Sequence, residues 1–185
     1  MPLPFGAVAR PRPVAQRNER LFVALWPDDA TRARLADAAL RLRPVGRPVA
    51  AANLHLTLAF LGSVPAARRA VAARAMRAAG VGAVDLVLDR WGHFPGARVA
   101  WVGPAAPPAA LAGGQQRLAA RLREAGFTLE HRAFHPHVTL ARDCARPTVP
   151  GLAPIPWPAR RLALVRSHTG AGGARYEVVD AVDLD

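Results

Sequence analysis

Apolar and polar residues alternate along several short segments of this chain, a pattern typical of strands that bury one face. Seven segments are predicted to be strands, namely residues 20–26, 54–61, 84–90, 98–102, 136–142, 160–168 and 175–182. The segments between some of them carry turn residues instead. We expect Gly62 to stop the second strand, residues 91–96 to form a turn, and residues 45–53 and the Pro-rich residues 147–158 to be loops.

Apolar residues at helical spacing predict three helices, over residues 28–43, 65–79 and 108–125. Asp28 or Asp29 can cap the first helix, and Gly126 can end the third. Strands and helices in this order indicate an α+β protein with mostly antiparallel sheets. We expect residues 20–185 to form one domain of two lobes, preceded by a flexible basic tail at residues 1–19.

One short pattern occurs twice, as His55-Leu-Thr57 and as His137-Val-Thr139, and Leu-Ala follows each copy. Because strand residues i and i+2 share a face, each His should lie beside its Thr, with apolar residues on the opposite face. Two imidazoles can act as acid and base in one reaction, and two hydroxyls with a cation can hold phosphate oxygens. Arg142 follows Thr139 by three positions, so a regular strand would place it on the face opposite His137 and Thr139. It must therefore sit at the end of the strand, where the chain can turn it toward them.

Composition limits the possible chemistry. The net charge is +12 and all 25 basic residues are Arg, so a covalent lysyl-nucleotide, a Schiff base and a Walker A lysine are excluded. The positive charge fits an RNA partner, although the abundance of Ala, Arg, Pro and Gly also fits a biased codon supply. Cys144 is the single Cys, which fits a reducing cytoplasm. We expect no signal peptide and no membrane span, and neither Ser63 nor Ser167 lies in a serine-hydrolase motif.

Five segments, in order along the chain, resemble the 2H phosphoesterases and, within them, the RNA 2′,3′-cyclic phosphodiesterases, also called 2′-5′ RNA ligases. These segments are residues 20–27, 54–62, 91–103 and 136–142, and Ser167 together with residues 173–176. Residues 51–53, Ala-Ala-Asn, depart from the Arg-Pro or similar pair that members often carry. The resemblance implies a bilobed α+β fold, in which two mostly antiparallel sheets with flanking helices surround a central cleft, and it implies that no metal or cofactor is needed.

The resemblance also implies a reaction, in which water opens a ribose 2′,3′-cyclic phosphate and leaves a 2′-phosphate. His137 would be the base that activates water and His55 the acid that protonates O3′, although the residues alone are symmetric between these roles. Thr57, Thr139 and Arg142 would bind the phosphate oxygens. Run backwards, the same site would join a 5′-hydroxyl to the cyclic phosphate without ATP, as a side activity. The expected partner is RNA or a nucleotide with a cyclic phosphate, bound by a cytoplasmic monomer.

Two other functions stay open. His131, His135 and His137, with Glu130 nearby, could hold zinc in a phosphohydrolase, but such a site leaves the first motif unexplained. A non-catalytic RNA-binding module could stack bases on aromatic side chains. The candidates for such stacking are Trp26, Trp91, Trp101, Trp157 and Tyr176, most of which lie in apolar strands where core packing is the expected role.

Overall fold

Ten strands and three α-helices make up the regular structure of the computed structural model, which describes residues 17–145, 153–170 and 173–185. The strands are β1 (Asn18–Leu25), β2 (Arg47–Pro48), β3 (Leu56–Pro65), β4 (Val84–Leu88), β5 (Arg90–Phe94), β6 (Val99–Gly103), β7 (Val138–Arg142), β8 (Ile155–Ala159), β9 (Arg161–Gly170) and β10 (Gly173–Asp183). The helices are α1 (Asp29–Leu40), α2 (Arg69–Ala78) and α3 (Ala109–Glu124), with short 3₁₀ turns at Ala51–Asn53 and Ala66–Arg68. Most of the tail predicted at residues 1–19 lies outside the described residues.

Every strand pair that the structure describes is antiparallel. Eight strands form one sheet in the order β10-β9-β1-β3-β7-β6-β5, with β2 also beside β7, while β4 and β8 form a separate two-stranded ribbon. The α+β prediction with mostly antiparallel sheets is confirmed. Within the large sheet, β3 and β7 share a single pair, Leu56 opposite Val138, so two half-sheets meet there.

The two faces of the large sheet bury different clusters. Leu21, Val23 and Leu25 of β1 belong to the main core, together with buried residues of all three helices. The alternate residues Phe22 and Ala24 belong to a small separate cluster on the opposite face, and no helix residue contributes to it. The helices therefore cover one face, and the other face is left available for a site.

Some local predictions were wrong. Gly62 does not end β3, because it takes a positive φ of 71° beside a bulge, after which pairing with β1 continues to Pro65. The segment 45–53 contains the short strand β2 and a 3₁₀ turn. Residues 147–152 of the predicted Pro-rich loop lie outside the described residues. Its end, however, belongs to the strand β8, in which Pro156 and Pro158 alternate with buried neighbours. A two-stranded ribbon tolerates these prolines because their missing N–H groups need not face a partner strand.

The turn predicted at residues 91–96 is mostly strand β5, which pairs with β6 and places Gly92 opposite Trp101. The turn prediction was wrong because a glycine among aromatic residues is also typical of turns. In this strand, Gly92 is needed for side-chain packing instead. A Cβ at Gly92 would lie 1.9 Å from Cζ2 of Trp101, so only glycine leaves room for the indole ring. The ring of Trp101 in turn packs against Phe94, with 5.3 Å between ring centroids.

We expect Gly92→Ala to lower the free energy of unfolding by about 1–3 kcal/mol, because the new methyl group must displace the Trp101 ring. Urea denaturation measures this loss. Gly96→Ala is the matched control, since a Cβ at Gly96 meets nothing within 4 Å. Equal stabilities of the two variants would contradict the packing role of Gly92.

Candidate active site

The single pair between β3 and β7 brings the two His-x-Thr motifs together. Leu56 and Val138 face each other, and both are 0% exposed in the main core. Their neighbours on each strand must then point to the opposite, open face of the sheet. Antiparallel pairing sets Thr57 toward His137 and His55 toward Thr139. The four side chains predicted from the sequence therefore surround one point, with an approximate two-fold relation between the motifs.

Both histidines are held in the same way through Nδ1. Nδ1 of His55 donates to the backbone oxygen of Asn53 at 2.6 Å, and Nδ1 of His137 donates to the backbone oxygen of His135 at 2.7 Å. Because a carbonyl oxygen only accepts, the proton of each neutral ring lies on Nδ1, and Nε2 keeps its lone pair. The hydroxyl of Thr57 donates to Nε2 of His55 at 3.0 Å. Each Nε2 is thus the atom that can exchange a proton with a bound molecule.

Aromatic rings enclose the two imidazoles. The ring centroid of His55 lies 4.8 Å from that of Phe22, 5.9 Å from that of Trp26 and 5.2 Å from that of Tyr176. The ring of His137 lies 5.0 Å from that of Phe94. These neighbours hold the rings in place and shield them in part from water.

Burial sets the protonation of the free site. Desolvation lowers the pKa of His55 from 6.5 to about 4, against the hydrogen bond to the backbone oxygen of Asn53, which raises it, and the positive charge of Arg142 also lowers it. Burial also lowers the pKa of His137. Both imidazoles are therefore neutral at neutral pH until an anion arrives.

A β-bulge explains how Arg142 reaches the open face. The ladder between β6 and β7 pairs Trp101 with Thr139 and Ala100 with Ala141, so Leu140 is an extra residue. Leu140 and Ala141 both face the main core, and Arg142 then emerges on the side of Thr139. Within the described part of the chain, Arg142 forms no ion pair, which leaves its guanidinium available for an anion.

The first motif has a bulge at the equivalent position. The ladder between β1 and β3 pairs Ala24 with Thr57 and Val23 with Ala59, so Leu58 is the extra residue. Leu58 and Ala59 are both buried, and Phe60 follows on the open face with 47% of its surface exposed. Phe60 is therefore the counterpart of Arg142 in the two-fold relation between the motifs.

Sequence reasoning missed the role of Asn53. Its side-chain nitrogen donates to the backbone oxygen of Ala174 at 2.7 Å, and its side-chain oxygen accepts from the backbone N–H of Tyr176 at 3.2 Å. Asn53 thereby fastens the chain before His55 to β10 while its own carbonyl holds the imidazole. Its position two residues before His55 was the available signal, but its partners lie far along the chain.

A cavity of about 640 Å³ opens beside the motifs. Thr57 and His137 border it, together with α3 and the segments at residues 94–97 and 129–135. Its lining includes the aromatic rings of Phe60, Phe94 and Phe134 and the polar side chains of Gln115, Arg123, Glu130, Arg132 and His135.

The remaining sequence candidates do not form a metal site. Among the described residues, no three or more His, Cys, Asp or Glu side chains come close enough to hold a metal ion. His131 is exposed, and the carboxylate of Glu130 accepts from Nε of Arg132 at 2.9 Å. Trp157 is buried in the main core as expected, whereas Trp101 is buried on the open face, with 4.6 Å between its ring centroid and that of His135. No helix in the described ranges is both long and apolar enough to cross a membrane.

Comparison with known proteins identifies the family. Residues 23–171 match the family model described as the 2′-5′ RNA ligase superfamily, so the chain belongs to this superfamily, and the predicted family is confirmed. The chain is 44% identical to the RNA 2′,3′-cyclic phosphodiesterase of Escherichia coli over 101 residues, which cover 54% of the chain and 57% of that enzyme. It is 34% identical to the enzyme of the same name from Thermus thermophilus, over 89% of the chain and 90% of that enzyme.

A solved structure shows the same fold. The crystal structure of Escherichia coli LigT complexed with 3′-AMP superposes with a TM-score of 0.78 and 31% sequence identity, over 91% of this chain and 99% of that one.

We expect His55 of the free protein to titrate near pH 4, and inorganic phosphate to raise that pKa, because an anion between the motifs favours the imidazolium. NMR of the ring Cε1–H signals measures both values, with His55→Gln used to assign the signal. The unfolded chain binds this proton near pH 6.5, so the pKa shift should make the folded state less stable as the pH falls from about 6.5 toward 4. A free His55 that titrates near 6.5 would contradict this description.

We expect Asn53→Ala to lower the free energy of unfolding by about 1–3 kcal/mol, because it removes two hydrogen bonds to β10. It should also raise the pKa of His55 toward the ordinary value, because water reaches the loosened ring. Asn18→Ala, at the exposed start of β1, is the matched control and should change neither quantity. An unchanged His55 titration in Asn53→Ala would reduce Asn53 to a purely structural role.

Proposed function

We propose that this chain is an RNA 2′,3′-cyclic phosphodiesterase, which hydrolyses ribose 2′,3′-cyclic phosphate ends to 2′-phosphates by acid–base catalysis with two histidines. The arrangement around the pair Leu56–Val138 carries the proposal, since it sets two Nδ1-anchored imidazoles around one point with two hydroxyls and a guanidinium. The names of the two relatives described above support the same reaction. In this proposal the substrate is RNA or a nucleotide with a cyclic phosphate end.

His137 is the proposed base. Its pKa is lowered by burial, so the ring is neutral, and Nδ1 is occupied by the carbonyl of His135. Nε2 can therefore take a proton from a water molecule as that water attacks phosphorus. As the water loses this proton to Nε2, its oxygen gains the character of hydroxide and forms the new P–O bond.

His55 is the proposed acid, and the substrate must supply the conditions for its protonation. The cyclic phosphate carries one negative charge, and an anion beside the ring raises the pKa of His55 from its low value in the free protein. Nε2 then holds a proton that it delivers to O3′ as the P–O3′ bond breaks. Because the bond to O2′ stays intact, the product is a 2′-phosphate.

Thr57, Thr139 and Arg142 are the proposed phosphate ligands. Charge on the non-bridging oxygens grows as the water attacks, and fixed hydroxyl and guanidinium donors stabilise it. In the free site, the hydroxyl of Thr57 donates to Nε2 of His55. Once that nitrogen is protonated, it no longer accepts, and the hydroxyl can turn to a phosphate oxygen.

The monomeric state and the cellular location stay predictions.

His55→Ala and His137→Ala should each lower kcat for a 2′,3′-cyclic nucleotide by about 10²–10⁴-fold, because each removes one proton-transfer group. Circular dichroism checks that the variants stay folded. His131→Ala, which changes an exposed histidine, is the matched control and should keep full activity.

A chelator should leave the rate of hydrolysis unchanged. When the pH is varied, the rate should rise to a maximum and fall on both sides of it, which reports two pKa values of the histidine pair.

Two outcomes would contradict parts of this proposal separately. Full activity in either histidine variant would end the two-histidine mechanism. A 3′-phosphate product, identified by ³¹P NMR, would mean that the acid lies beside O2′ even if both histidines are required.

A further inference from the structure

Arg32 belongs to α1, yet its side chain reaches two segments that lie beside His55. Nη2 of Arg32 donates to the backbone oxygen of Pro27 at 2.9 Å, and Nη1 donates to the backbone oxygen of Ala51 at 3.1 Å. The guanidinium carbon also lies 5.5 Å from the ring centroid of Trp26. One side chain therefore joins α1 to the segment that follows β1 and to the 3₁₀ turn that Ala51 begins.

Both segments contact the proposed acid directly. The ring of Trp26 stacks on that of His55, with 5.9 Å between the ring centroids and 18° between the ring planes. The turn that begins at Ala51 ends at Asn53, whose backbone oxygen accepts the Nδ1 proton of His55 at 2.6 Å. Stacking sets the plane of the imidazole, and the hydrogen bond at Nδ1 sets the direction in which Nε2 points. The two contacts together fix the atom that would deliver the proton.

The stability of α1 does not require an arginine at this position. A positive charge near the start of a helix opposes the helix dipole, and Asp28 and Asp29 already supply the favourable acidic side chains there. Burial also lowers the pKa of the Arg32 guanidinium, so this charge has lost part of its hydration. The oxygens of Pro27 and Ala51 compensate for that loss. They bind two different nitrogens of a planar fork, an arrangement that the compact ammonium of lysine does not offer.

We propose that Arg32 is a positioning residue for the proposed acid His55, because it holds both the Trp26 ring that stacks on the imidazole and the turn whose carbonyl orients it. The inference rests on the proposed function, since it gives His55 a proton to deliver. Arg32 touches no reacting atom and acts only through these two segments. Its loss should leave the site assembled but let the imidazole tilt. A small misalignment of a proton-transfer group lowers the rate of the chemical step more than it lowers substrate affinity.

The test compares Arg32→Ala and Arg32→Lys with the wild-type protein. Each should lower kcat for a 2′,3′-cyclic nucleotide about tenfold, while KM changes less than about twofold. Each should also raise the pKa of His55 in the free protein from about 4 toward 6.5, because water reaches the loosened ring. NMR of the ring Cε1–H signal measures that pKa without any turnover. Arg34→Ala, which changes an exposed arginine of the same helix, is the matched control and should alter none of these values.

A double-mutant cycle tests the contact between Arg32 and the stacked ring. Trp26→Leu removes that ring, so it removes one of the two routes by which Arg32 reaches His55. The effects of Trp26→Leu and Arg32→Ala on kcat and on the pKa of His55 should therefore add to less than their sum in the double variant. Fully additive effects would contradict a route through Trp26.

The possible results separate this inference from the proposed function. If Arg32→Lys behaves like the wild-type protein, only the charge matters and the inference is wrong. If Arg32→Ala lowers the free energy of unfolding but leaves kcat and the pKa of His55 unchanged, Arg32 is purely structural and the inference is again wrong. Arg32→Lys, the milder change, decides the matter if Arg32→Ala does not fold. A wild-type protein with no hydrolysis refutes the proposed function, and the pKa of His55 in the variants still shows whether Arg32 positions the ring.

Discussion

One backbone pair, Leu56 opposite Val138, determines the geometry of the site, because it alone joins β3 to β7 in the described sheet. Both side chains are fully buried in the main core. Because side chains alternate along a strand, the residues on either side of them face the open side of the sheet. A slip of one residue in this pairing would turn the apolar residues into the site and the motif histidines into the core. The cost of burying imidazole and hydroxyl groups without partners makes that slip unfavourable. The packing of two apolar residues thus selects the register that assembles a polar site.

The two bulges then make an approximately symmetric site unequal at its ends. Each bulge inserts one residue directly after the Thr of its motif, at Leu58 and at Leu140. The residue three positions after each Thr, Phe60 or Arg142, therefore lies on the open face. One end receives the cation of Arg142, and the other receives the ring of Phe60. A cation suits a phosphate, and an exposed aromatic ring suits a nucleic-acid base. The symmetry of the backbone therefore supplies two similarly held histidines, while the difference between Arg142 and Phe60 makes the two ends of the site chemically different.

The parts of the fold that depend on local pattern could be predicted, and the parts that depend on distant partners could not. Alternation in the first motif was sufficient to predict His55 beside Thr57, because an extended chain imposes that geometry by itself. The bulge that turns Arg142 outward depends on β6, and β5 was misread as a turn because Gly92 is explained only by the ring of Trp101. The clamp of Asn53 on β10 joins residues more than a hundred positions apart, which no local pattern indicates.

Although the chain has a net charge of +12, burial among aromatic rings keeps the two histidines of the free site uncharged. Arg142 is charged, but both imidazoles are neutral, because desolvation holds their pKa values below the ordinary range. In the proposed reaction, His55 takes up a proton when the anionic phosphate binds, since that charge offsets the desolvation of the imidazolium. The same burial that opposes protonation also makes the imidazolium a stronger acid once formed, since a lowered pKa means a more readily released proton. In the proposed reaction, negative charge develops on O3′ as the P–O3′ bond breaks. The buried environment of His55 then favours the return to the neutral ring, and so favours proton transfer to the leaving oxygen.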